Sequence, residues 1–431
     1  MNQESQNIQS RASDSDVNKS QRVKVAYIMS RFPKLTETFI LYEMLAMQKQ
    51  GVQVEVYPLL REPIEVMHPE AKQFVEAAHY QPFISPTILR ANLYFLWKKP
   101  LVYLNTLFTL LRANWGSFGF LTGALGIFPK VVLFAYQMQA QNIDHVHAHF
   151  ASHPAAAGFI IRRLVGIPYS FTAHGSDLHR DRHMLCEKVA EAAFVVAISN
   201  YNKELITSEC KGNYRDKVKV IHCGVDTEVF RPRSDETPFE KGENPFMILC
   251  VGTLHEVKGQ AYLIEACRIL KEKGINLVCH FVGDGEDREA LTQLADQAGL
   301  TEQIYFHGRL TRNEIARLLQ DTDVLAAPSV PTRDGRREGI PVVLMEAMGS
   351  GVPVVASNLS GIPELVQDQQ TGLLAPPRDA ASLANALERY YGDRDLRRRL
   401  GLAGRAKVVG DFDLNKNAIK LAEHFIKDGP R

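Results

Sequence analysis

Net charge is nearly absent from this 431-residue chain: 50 lysines and arginines against 49 aspartates and glutamates leave +1. Such a balance implies no general affinity for nucleic acid. Cysteine is scarce, and its six copies (Cys186, Cys210, Cys223, Cys250, Cys267 and Cys279) include no C-x-x-C pair. Most lie in apolar runs and read as reduced, core-filling thiols of a cytosolic protein. Residues 1–21 are polar, rich in Ser, Asn and Gln, and lack an apolar stretch. They read as a disordered leader, not as a signal peptide. There is no short internal repeat. A convincing membrane-spanning run is missing too: the longest charge-free stretch of the most apolar region, residues 113–129, is interrupted by glycines and ends in proline.

What is present is a chain long enough for two domains, each with its own core. Short apolar runs alternate with helical segments, the pattern of parallel α/β sheets. Strands are expected at 24–29, 53–57, 145–149, 169–172, 194–197 and 218–221, with a helix starting near Thr36 or Glu37. A polar stretch at 234–244 reads as a linker. A second set of strands is expected at 246–251, 276–282, 303–306, 324–327, 353–356 and 372–374, and a last helix at about 414–425. The expected division is therefore 22–235, 236–410 and a C-terminal helix within 411–431.

Residues 82–143 stand apart, with five basic residues (Arg90, Lys98, Lys99, Arg112, Lys130) and no acidic one. Tyr94, Phe95, Trp97, Tyr103, Phe108, Trp115, Phe118 and Phe120 surround them. A basic, aromatic and apolar segment suits a membrane interface. It equally suits helices packed within a domain with cations at the rim.

The most informative stretch runs from Arg337 to Gly351. Glu338 and Glu346 are eight positions apart, and Gly339-Ile340-Pro341 opens a helix between them. Proline favours the first helical turn, so the helix should begin near Pro341, with its free N–H groups forming an anion site. Eight residues span roughly 12 Å along a helix axis. That reach fits a diphosphate carrying a polyhydroxylated ring at each end, a nucleotide-sugar.

The segment resembles the E-x7-E signature of the retaining glycosyltransferases of family 4, and the resemblance runs from about Val23 to about Phe425. It implies the GT-B fold: two Rossmann-like, doubly wound α/β domains facing a central cleft, with the final helix crossing back to the first domain. It also implies a UDP- or GDP-sugar as donor substrate, with no cofactor and no metal. On this resemblance Glu338 contacts the sugar, Glu346 the ribose, and the amides of Gly339, Ile340 and Val342 the diphosphate. Lys258 matches the family's phosphate-binding lysine, but Thr253 stands where an arginine is usual. Gly283 and Arg309 fall on turns near the donor's base and ribose.

The loop Thr172-Ala173-His174-Gly175-Ser176-Asp177 resembles the family's histidine loop, with His174 near the reacting centre. Asp144-His145-Val146-His147-Ala148-His149 invites a metal reading, since alternate histidines share a strand face. It also resembles the family's usual D-x-V-H-x-H strand, which places His149 at the cleft. The loop at 31–39 replaces the glycine-rich loop of the wider family and resembles the colanic-acid and exopolysaccharide biosynthesis subgroup. It sets Lys34, Thr36 and Glu37 on the acceptor side. The acceptor implied is a saccharide, free or polyprenyl-linked, met at the inner face of the cytoplasmic membrane. Two other readings stay open: a nucleotide-sugar epimerase on the same scaffold, and a non-catalytic nucleotide-sugar-binding protein, for which Thr253 is the support.

Overall fold

The computed structural model describes residues 23–34, 37–62, 68–179, 181–232 and 245–427. The expected leader, the linker at 234–244 and Thr36 lie outside the described residues. Six parallel strands form the first sheet: β1 (Lys24–Phe32), β2 (Gln53–Arg61), β3 (His145–His149), β4 (Tyr169–Ala173), β5 (Phe194–Ala197) and β6 (Val218–Val220). Their order is β2-β1-β3-β4-β5-β6. The second sheet holds β7 (Phe246–Val251), β8 (Leu277–Val282), β9 (Ile304–Phe306), β10 (Val324–Ala327), β11 (Val354–Ser357) and β12 (Leu373–Ala375). Its order is β12-β11-β10-β7-β8-β9.

All the expected strands are present. The largest departures are β1 and β2, which extend to Phe32 and Arg61 because their ends stay in register, Arg31 beside Leu60 and Phe32 beside Arg61. Strands β3, β4, β5, β10 and β11 are buried at every residue, as parallel strands covered on both faces must be. Strand order reverses between β1 and β3 in the first sheet and between β7 and β10 in the second. Open α/β sheets form their ligand crevice at the carboxyl edge of such a reversal. The loops after β1, β3, β7 and β10 therefore border the expected crevice.

The last helix, Leu414–Lys427, lays Leu414, Ala418, Leu421, Ala422 and Phe425 against Val25, Tyr27, Met29 and Met44 of the first half. Where the chain returns, Val225 bridges to Asp413, and the Thr227 hydroxyl donates to the Asp413 carboxylate at 2.7 Å. Gly224 makes this crossing possible, since a Cβ there would stand 2.4 Å from the Leu414 Cα.

Three expectations need correcting. Cys186 and Cys210 are joined in a disulfide, with Cα atoms 5.3 Å apart. The fold brings the helix Leu185–Glu191 against the end of Asn200–Glu209, a meeting that a separation of 24 residues does not announce. Cys250, Cys267 and Cys279 are free and buried. Second, the helix Phe118–Ala140 runs straight through Pro129 for 23 residues. By length and composition alone it could cross a membrane, but half of its most apolar window is buried in the protein. The helix continues past Pro129 because the following turns are held by packing, with Val131 to Ala135 all in the core. Third, Lys130 is not a rim cation. It is buried, donates to the Leu59 carbonyl at 2.8 Å and lies over the Phe83 ring.

Candidate active site

The site is built mainly on the loops that follow the strands. After β7 the chain turns at Gly252 and Thr253, passes His255 and makes one tight turn, Glu256–Lys258, before the next helix. The neighbouring turn after β8 comes so close that a Cβ on Gly283 would stand 2.0 Å from the Gly252 carbonyl oxygen. Glycine is required there, where φ is +131°. Gly283 in turn donates to the Gly308 carbonyl at 2.8 Å. Arg309, next to it, is exposed, as is Thr253, whose carbonyl accepts from Gln260.

After β10 the chain reaches Glu338-Gly339-Ile340-Pro341 and the helix Val342–Gly349. Pro341 is the residue preceding that helix, not its first turn; its extended ψ of 127° starts the helix one residue later than expected. The first amides of this helix lack carbonyl partners within it, as at any helix start. Lys258 Nζ lies 3.0 Å from Glu338 Oε1, both side chains about one-fifth exposed. The two loops at the reversal point are thereby tied together.

Glu346 lies further along the same helix, largely enclosed by protein yet partly reached by solvent. Burial pushes its carboxyl up to about 7, and the charge of Arg312 pulls in the other direction. The Arg312 guanidinium stacks 4.1 Å over Tyr42 from the first half and stands 3.7 Å from Asp226. Neither Tyr42 nor Arg312 was anticipated, because nothing in the spacing of residues 42, 312 and 346 marks them as neighbours.

From the first half, His149 ends β3 and His174 opens the loop after β4. His149 Nδ1 and His174 Nε2 are 3.0 Å apart, and Glu43 Oε1 lies 3.3 Å from His149 Nε2. Tyr27 donates to the same Glu43 oxygen at 3.1 Å. Burial first, and then the neighbouring imidazole of His149, hold His174 well below the usual range, so it is neutral. Asp177 staples this loop: its carboxylate accepts from the backbone N–H of His174 (3.0 Å), of Gly175 (2.8 Å) and of Ala151. Its position in the His-Gly-Ser-Asp run was a signal that went unused. Gly339 fits against this loop so closely that a Cβ on it would stand 2.7 Å from the His174 carbonyl oxygen. Gly339 and the His174–Gly175 turn thus meet across the two halves. Lys34 and Glu37 form an ion pair on the loop leaving β1. A further tie went unforeseen: Glu364 accepts from the N–H groups of Asn200 (2.8 Å) and Tyr201 (2.9 Å) at the start of a first-half helix.

Among the described residues, Glu43, His147 and His149 place ligand atoms within 4.8 Å of one another, so they could hold a cation. Hydrogen bonds compete with that use: His147 Nδ1 meets Ser170 Oγ at 2.8 Å and Nε2 meets Thr172 Oγ1 at 3.0 Å. The alternating histidines do share one face, which packs against Tyr27 and Phe425.

Two doubly wound halves, with acidic, basic and histidine loops converging at their strand-order reversals, define a GT-B protein. The fold matches that of Anabaena Alr3699/HepE solved with UDP, with a TM-score of 0.70 at 18% identity over 94% of this chain and 100% of that one. Family models for "Glycosyltransferase Family 4" and "Glycosyl transferases group 1" match residues 36–229 and 233–407. The chain is 31% identical to the amylovoran biosynthesis glycosyltransferase AmsK of Erwinia amylovora, over 93% of this chain and 98% of that protein. It is 30% identical to the putative colanic acid biosynthesis glycosyltransferase WcaL of Escherichia coli K12, over 92% and 97%. The chain belongs to glycosyltransferase family 4, and these two relatives are glycosyltransferases of amylovoran and, putatively, colanic acid biosynthesis.

Proposed function

We propose that the protein is a retaining, metal-independent hexosyltransferase that moves a sugar from a UDP- or GDP-sugar to a saccharide or polyprenyl-linked saccharide, extending an exopolysaccharide. The observation that carries this reading is the convergence of Lys258, Glu338 and the start of the Val342–Gly349 helix at one strand-order reversal, with the His174 loop closing against Gly339. Lys258 and the Gly339, Ile340 and Val342 amides would take the diphosphate. Glu338 would turn from Lys258 to the sugar hydroxyls, and Glu346 would accept from the ribose. The charge that grows on the leaving diphosphate is then met by preorganised donors. The acceptor hydroxyl would attack the anomeric carbon on the face that the leaving group departs. Its proton would pass to a leaving phosphate oxygen, and Lys34, Glu37 and His149 would line the acceptor side. Proton NMR of the product formed from an α-linked donor tests the stereochemistry: an α-linked product supports the reading, and a β-linked one overturns it.

The same reading places the protein in the cytoplasm, on the inner face of the membrane. Its support is the surface made by the helices Pro86–Lys98, Pro100–Ala113 and the start of Phe118–Ala140. Leu89, Leu93, Trp97, Leu101, Phe108, Trp115 and Phe118 are all more than half exposed there, with Arg90, Lys98 and Arg112 also exposed and no carboxylate in the segment. Phe95, by contrast, is buried, and Phe120 stacks on His153. A large apolar patch rimmed by cations is the signature of an anionic lipid surface.

A further inference from the structure

Thr253 leaves the turn after β7 with a single lysine for a diphosphate, and the loop after β10 holds what the turn lacks. That loop makes a tight turn, in which Thr332 donates to the Arg336 carbonyl at 2.9 Å and Gly335 donates to the Thr332 carbonyl at 3.1 Å. It then runs without helical structure through residues 336–338. Arg336 and Glu338 face the turn after β7: Arg336 NH1 lies 3.0 Å from His255 Nε2, as Glu338 lies 3.0 Å from Lys258. Arg337, between them, points towards the first half, where its charge, after burial, helps hold His179 down to about 4.

The Arg336–His255 contact is not a satisfied hydrogen bond. His255 Nδ1 accepts from the Val257 N–H at 3.1 Å, so the neutral ring carries its proton on Nε2. That N–H faces an arginine that can only donate. The acids nearby are Glu286, 3.3 Å from His255 Nε2 on a side chain three-quarters exposed, and Asp334, 4.0 Å from Arg336 NH2. Two donors therefore converge beside the lysine turn, held by the same pair of loops that hold Lys258 and Glu338. An anion accepts from both at once.

We propose that Arg336, supported by His255, is the second phosphate-binding cation of the cleft and replaces the arginine absent at Thr253. The proposal rests on reading the cleft as a nucleotide-sugar site. A guanidinium offers a fork of N–H donors that two phosphate oxygens can share. This position reaches the diphosphate from the Glu338 loop instead of from the β7 turn.

Calorimetric titration of UDP, UMP, GDP and GMP into the wild type, Arg336→Gln, Arg336→Lys and Thr253→Arg/Arg336→Gln tests it. Arg336→Gln should weaken the preferred nucleoside diphosphate about 10- to 100-fold, the range for a lost charged hydrogen bond. The monophosphate should change little, and Arg336→Lys should fall between. Restoring the cation at Thr253→Arg should recover most of the loss, which a merely structural role for Arg336 would not allow. An unchanged preference for diphosphate over monophosphate in Arg336→Gln overturns the proposal and leaves the nucleotide-sugar reading standing. A wild type that binds neither UDP nor GDP overturns both. Ligand-free melting temperatures of the variants show whether the fold is kept.

Discussion

Lys258 Nζ and Glu338 Oε1, 3.0 Å apart, cross-link the two loops that flank the strand-order reversal of the second sheet. Each is the other's counter-ion in the ligand-free cleft, so a bound donor must divide them, phosphate to the lysine and sugar to the carboxylate. A pair kept only for stability would tolerate reversal. The double exchange Lys258→Glu/Glu338→Lys should bring the melting temperature back towards wild type while transfer stays undetectable. Activity in the exchanged enzyme would show that the pair has no role in the reaction. Lys258→Met alone should weaken donor binding about 10- to 100-fold, as loss of a charge-assisted contact does.

Glu346 gives the protein a pH dependence of known sign. Burial raises its carboxyl from the ordinary 4.5 to about 7, so the folded state holds the proton more tightly than the unfolded chain. Its contribution to stability is complete below pH 4.5 and is lost as pH rises through 7. Glu346→Gln should therefore gain stability over the wild type at pH 8, by on the order of 1–3 kcal/mol given the partial solvent access of this side chain. Ribose hydroxyls favour the ionised form, so wild-type donor affinity should rise from pH 6 to pH 8. In Glu346→Gln it should be weak and flat. Urea unfolding and donor titration at the two pH values measure both.

Asp177 holds the loops after β3 and β4 together through three backbone N–H groups. Asp177→Ala leaves those buried donors without partners and should cost about 2–4 kcal/mol in urea unfolding. Because the His174 carbonyl abuts Gly339, the same change should depress turnover more than donor binding. A variant as stable as the wild type would contradict the staple.

The exposed apolar surface predicts lipid dependence. Trp97→Glu/Leu101→Glu should abolish co-sedimentation with vesicles containing anionic phospholipid, since both side chains are more than three-quarters exposed and cost nothing to the core. High salt should weaken wild-type binding as screening removes the contribution of Arg90, Lys98 and Arg112. Binding unaffected by the double change would place the membrane contact elsewhere.

The fold was legible because parallel strands covered on both faces are mostly short apolar runs, and such runs survive in the sequence as β5, β7 and β10. The donor side was legible for a related reason: Lys258, Glu338 and Glu346 sit within or beside turns whose glycines and proline mark them. The partners that the fold brings in from far along the chain were not. Glu43 meets His149, Tyr42 meets Arg312 and Cys186 meets Cys210 only through packing, and no local spacing encodes such meetings. Lys130 misled for the opposite reason: its composition suits a rim cation, yet a single carbonyl, that of Leu59, draws it inside. Arg336 lay in plain view beside Glu338, but its relevance depends on the way His255 turns its N–H, and a sequence does not carry that.

The most direct test of the central claim is sugar transfer from a panel of UDP- and GDP-sugars by the wild type and by Glu338→Ala, followed by mass spectrometry of the acceptor. The account predicts transfer from at least one donor by the wild type. It predicts a loss of at least about a thousandfold in Glu338→Ala, on the order of 4 kcal/mol of transition-state stabilisation, in a protein still fully folded at the assay temperature. Near-normal turnover in Glu338→Ala, or a wild type that consumes no donor, would contradict it.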